Sequence, residues 1–136
     1  MRAASALESG SDTMEGVLAA ILESGDPERL YTGLSLLVST ASAGEEVRAL
    51  LGFGALRALS DPELAARATL VTEAEREPFA RTLDELRAVA AELPNCRLWA
   101  CAAAVQATGA GELPFEGVTS MPAFLRDAGD ARLVFV

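Results

Sequence analysis

Gly16-Val17-Leu18-Ala19-Ala20-Ile21-Leu22, followed by Ser24-Gly25-Asp26-Pro27, is the stretch on which the fold turns. The unbroken apolar run reads as a buried strand, and the serine, glycine, aspartate and proline read as the turn that ends it. Ser24 or Asp26 is placed to cap a following helix, and Pro27 suits its first turn. From Glu28 to Ala43 the residues Leu30, Leu34, Leu37, Val38 and Ala41 recur at helical spacing, and Gly44 stops the pattern. One strand, one tight turn and one amphipathic helix make the first β–α unit.

The same grammar continues to both sides. A second strand, Val47 to Phe53, leads into Gly54-Ala55-Leu56-Arg57-Ala58-Leu59. The charged, alanine-rich stretch Asp61 to Glu77 reads as a helical excursion. An amphipathic helix is expected from Pro78 to Leu93, with Phe79, Leu83, Leu86, Val89, Ala90 and Leu93 on one side, until Pro94-Asn95 breaks it. Cys96 to Ala100 is a third strand, and Ala102 to Thr108 is a short helix closed by Gly109. After the turn-rich Gly109 to Pro114 come a short strand at Gly117-Val118-Thr119, a helix from Pro122 to Ala128 and a last strand from Arg132 to Val136. Nearly continuous apolar strands alternating with helices indicate an α/β domain. Its expected form is a three-layer α/β/α arrangement around a mostly parallel sheet of about five strands. Residues 1–13 carry no pattern and are expected to be a flexible tail, with 14–136 forming one domain.

Composition narrows the function classes. The net charge is −9, and the 11 basic residues are all arginine, dispersed along the chain. Nucleic-acid binding needs a basic face, and none is visible in the sequence. No apolar run approaches the roughly 20 residues of a membrane span, and the first residues lack the apolar stretch of a secretion signal. A cytoplasmic protein is the resulting expectation. Cys96 and Cys101 lie near the two ends of one expected strand, roughly 16 Å apart and on opposite faces, too far for a disulfide. Free thiols suit a reducing compartment. With no histidine and no Cys-x-x-Cys, no metal site is expected, and no cofactor fingerprint is complete: Gly52-x-Gly54 is followed by Arg57 at the third-glycine place. Asp26 and Glu28 also set negative charge where a phosphate loop would hold its ligand.

In open α/β sheets, ligands gather at the carboxyl ends of the strands. That edge is expected to carry Cys101 as nucleophile, since a cysteine at a helix N-terminus faces unpaired amides and the positive end of the helix dipole. Around it the expected substrate-binding residues are Ser24, Asp26, Phe53, Gly54, Ala102, Ala103, Thr119 and Met121. Each also has a plain structural reading. The cysteine is then a small buried hydrophobe, Asp26 a helix cap, Ser120 an N-cap, and the glycines sites of close backbone packing.

The order and spacing of several segments resemble the DsrE/DsrF-like group, which includes TusD and DsrE. The segments are the first strand with Gly25-Asp26-Pro27-Glu28-Arg29-Leu30, then Ala43-Gly44-Glu45-Glu46-Val47, then Phe53-Gly54-Ala55-Leu56. Cys101 with Gly109 eight residues on and Gly117-Val118-Thr119-Ser120-Met121-Pro122-Ala123-Phe124-Leu125 complete the set. The resemblance implies a parallel α/β/α sheet and assembly into dimers, trimers or hexamers. It also implies a cysteine after a central strand that carries sulfur as a persulfide between donor and acceptor proteins, a role that maps onto Cys101 alone. The chain departs from the group at Ala104, Val105 and Thr108, where some members hold a serine and methionines. The competing expectation is a non-catalytic homo-oligomeric scaffold with an inert cysteine.

Overall fold

A computed structural model describes residues 17–109 and 115–136; the expected tail, Gly16 and most of the turn after Gly109 lie outside the described residues. The elements run β1 (Val17–Leu22), α1 (Pro27–Ser42), β2 (Glu46–Leu51), α2 (Phe53–Leu59), a 3-10 turn (Ala65–Arg67) and α3 (Glu73–Glu92). They continue with β3 (Cys96–Cys101), α4 (Ala102–Thr108), β4 (Gly117–Thr119), α5 (Met121–Ala128) and β5 (Arg132–Phe135). All pairings among the described residues are parallel, and the sheet order is β4-β3-β2-β1-β5. The expected α/β architecture with a parallel five-stranded sheet is the observed one.

Topology explains how the helices divide between the faces. From β1 the chain steps through β2 and β3 to β4 in one direction, then returns past the whole sheet to β5. A right-handed crossover places its helix on one face for outward steps and on the other for the return. Accordingly α1 to α4 cover one face, where Leu18, Leu22, Val47, Leu51 and Leu98 meet Leu30, Leu34, Leu37, Leu56 and Leu83. Only α5 covers the second face among the described residues, with Phe124 seated on Ala19, Ile21 and Leu50. An eight-residue helix spans little of a sheet, so Arg97, Leu133 and Phe135 on that side remain exposed.

Two boundaries differ from the sequence expectation by more than one residue. The helix read as starting at Pro78 starts at Glu73, because Thr72 and Glu75 form a reciprocal capping box: the Thr72 hydroxyl accepts from Glu75 N at 3.3 Å, and Glu75 Oε1 accepts from Thr72 N at 2.8 Å. Pro78 sits inside the helix, and Phe79 beside it stacks on Tyr31 of α1 with ring centroids 5.0 Å apart. The stretch expected as one helical excursion is therefore the 3-10 turn, a connection and the first turn of α3. Phe53, placed at the end of the second strand by its apolar character, opens α2 instead.

Candidate functional site

The carboxyl ends of the strands are drawn together by the main chain. Gly52 N donates to Leu22 O at 2.8 Å, Ala55 N to Glu23 O at 3.2 Å and Glu23 N to Val136 O at 2.7 Å. Gly25 and Gly54 pack backbone on backbone: a Cβ built on Gly54 would stand 2.6 Å from Gly25 N. Ser24 and Asp26 serve the turn itself. The Ser24 hydroxyl accepts from Asp26 N at 3.1 Å, and Asp26 Oδ2 accepts from Arg29 N at 3.0 Å, capping α1. They belong to the end of β1, two strands from β3 and so about 10 Å away at ordinary strand spacing.

Cys101 is the last residue of β3 and the N-cap of α4, in extended backbone conformation. Its side chain makes no capping hydrogen bond, and α4 carries no acidic residue in its first turn. The unpaired amides of that turn therefore face Cys101 without a competing carboxylate on the helix. Directly across the sheet register stands Thr119, the end of β4. The connections after these two neighbouring strands part company: α4 goes to the face covered by four helices, α5 to the other. Where adjacent strands send their connections to opposite faces, a crevice opens outside their carboxyl ends. Cys101 and Thr119 end those two strands as register partners, and the half-buried Cys101 packs against the hydrophobic clusters of both faces. Met121 opens α5 beyond Thr119 and is exposed, while Ser120 caps the helix by accepting from Ala123 N at 3.2 Å. Ala102 and Ala103 are exposed at the start of α4, and Phe53 is exposed at the start of α2.

The second cysteine is a different kind of group. Cys96 opens β3, is buried under the four-helix face, and forms no disulfide. Burial, reinforced by the Glu46 carboxylate, pushes its thiol from 9.0 up to about 11. A thiol whose folded value is raised contributes stability that is complete below its unfolded value and lost as pH climbs past it. Stability is thus expected to fall by about 2 kcal/mol between pH 9 and pH 11 from this group. Urea unfolding across that range checks it: Cys96→Ala should flatten the alkaline decline, and an unchanged slope would rule Cys96 out as its source.

Sequence reasoning did not find the groove on the α5 side of the sheet. Arg48, Arg97, Trp99, Thr119, Phe124 and Asp127 line a space of about 340 Å³ between α5 and the β2–β4 part of the sheet. The signal was present in Arg97-x-Trp99-x-Cys101, whose period of two puts all three side chains on the α5 side of β3. No group of three or more potential metal ligands occurs among the described residues, and no helix there is long and apolar enough to cross a membrane. Compared with known proteins, the chain matches no family model and no curated protein.

Proposed function

We propose that the protein is a sulfur carrier that holds a persulfide on Cys101. The observation that supports this most directly is the position of Cys101, half-buried at the end of β3 where the connections after β3 and β4 diverge. The resemblance to DsrE-like proteins adds the identity of the cargo. In the proposed step, the Cys101 thiolate attacks the outer sulfur of a donor persulfide R–S–SH. The Sγ–S bond forms as the donor S–S bond breaks, R–S⁻ leaves, and the proton stays on the transferred sulfur until it ionises. Cys101–S–SH then yields its outer sulfur to an acceptor thiolate by the same exchange. No histidine is needed, because thiol–disulfide chemistry depends on thiolate character, nucleophilicity and access. A reducing cytoplasmic compartment suits both free thiols.

Intact-mass and peptide mass spectrometry after incubation with a persulfide donor tests this reading. One sulfur atom is expected on the Cys101 peptide and none on the Cys96 peptide. A folded protein that takes up no sulfur on Cys101 overturns it.

A homo-oligomeric scaffold is the second reading, favoured by the exposed Leu133 and Phe135 on edge strand β5, with Phe135 69% accessible. Under that reading Cys101 is inert in the folded protein, and thiol labelling separates the two.

A further inference from the structure

We infer that the groove beside Cys101 binds a small carboxylate-bearing thiol or persulfide as the sulfur donor or acceptor; this rests on the carrier reading of Cys101. Arg48 and Arg97 are register partners on β2 and β3, so their side chains emerge side by side on the α5 face. In a chain of net charge −9, this paired cationic feature lies in a concave space of about 340 Å³, at the small end of ligand pockets.

The two guanidinium groups are only partly engaged. Arg48 Nη1 donates to Asp127 O at 3.1 Å, while its buried Nε has no hydrogen-bond partner among the described residues. Glu46 Oε2 lies 3.9 Å from Arg48 Nε and 3.7 Å from Arg97 Nε, close enough for charge attraction but beyond good hydrogen-bond length. A ligand carboxylate presents two oxygens in a geometry that arginine forks match, and it would replace these long contacts with short ones. Glu46 and the Asp127 side chain limit the site's net positive charge. That favours a singly charged carboxylate over a phosphate dianion, and Asp127 supplies an acceptor for a ligand ammonium.

Trp99 provides an apolar wall between the arginines and the thiol. Arg97, Trp99 and Cys101 follow one another on the same face of β3, about 13 Å from first to last at strand rise. Trp99 and Cys101 also pack against the same small cluster around Phe124. A ligand held by its carboxylate at Arg97 therefore lies along Trp99 with its sulfur end toward Cys101. Glutathione has carboxylates, an ammonium and a thiol, and it serves as the probe; the reach of the Arg97 side chain shortens the span it must cover.

Trp99 is the chain's single tryptophan, so its fluorescence reports the groove without a label. Titration with S-methylglutathione, which cannot exchange sulfur, should give a saturable change, and its dimethyl ester should give none. Arg97→Gln should weaken binding about tenfold or more. Glu46→Gln should tighten it, because the competing carboxylate is gone. No saturable change, equal responses to acid and ester, or an Arg97→Gln protein that binds like wild type would each overturn the groove assignment. Failure here with sulfur still loading on Cys101 from an uncharged donor leaves the carrier reading standing. Binding here with no sulfur on Cys101 overturns the carrier reading instead.

Discussion

Gly54→Ala is expected to destabilise the fold by about 3 kcal/mol, at the upper end of overpacking effects. The new Cβ would stand 2.6 Å from Gly25 N and 2.8 Å from Glu23 O, and both atoms are main chain. A side chain could swing aside from such a contact. A backbone held by Gly52 N to Leu22 O and Ala55 N to Glu23 O cannot do so without loosening the ends of β1 and β2. The reciprocal change, Gly25→Ala, meets Gly54 O at 2.7 Å and should behave alike. Gly44→Ala is the control: its φ of +95° strains an alanine, but nothing lies within 4 Å of the new Cβ. It should cost about 1 kcal/mol. Urea unfolding of the three variants checks the order, and a Gly54→Ala protein within 1 kcal/mol of wild type would refute the close-approach account.

The second large effect is kinetic. At pH 8, an alkylating reagent should modify Cys101 more than a hundredfold faster than Cys96. Raising the Cys96 thiol from 9.0 to about 11 alone cuts its thiolate about a hundredfold relative to an ordinary cysteine. Burial at 5% accessibility further blocks the reagent, whereas Cys101 is only half-buried at the end of β3. In the folded protein Cys101→Ser should leave almost no fast labelling, and Cys96→Ala should leave the fast phase intact. Equal rates for the two thiols, or no Cys101 reaction before unfolding, would favour the scaffold reading. Because the comparison is internal to one chain, reagent and protein concentrations cancel.

The glycine contact and Cys101 lie at the carboxyl edge of the sheet, and they show how differently its parts were legible. The turn chemistry was local and readable: Asp26 caps α1 and Ser120 caps α5, and of the two glycines read as close-packing sites Gly54 meets backbone while Gly52 faces the Glu23 side chain. Cys101 was legible too, since an apolar strand followed at once by alanines fixes a strand-to-helix junction. Pro78 misled, because proline normally marks a first helical turn, while the capping box that begins six residues earlier at Thr72 was the stronger start signal. Phe53 misled because an apolar residue after an apolar run extends a strand by pattern alone. The groove was not found because its walls come from β2, β3, β4 and α5, which only the sheet order brings together.

The sequence alone determined the alternation of strands and helices, the parallel α/β architecture and the separation of two thiols onto opposite faces of β3. All of these follow from near-neighbour periodicity and capping, which act over a few residues. Tertiary structure alone decided the strand order β4-β3-β2-β1-β5 and with it the placement of α5, alone among the described helices, on the second face. It also paired Arg48 with Arg97 and set Cys101 opposite Thr119. These placements depend on which strands become neighbours, and that is fixed by handed crossovers and burial of whole faces rather than by any local run of residues.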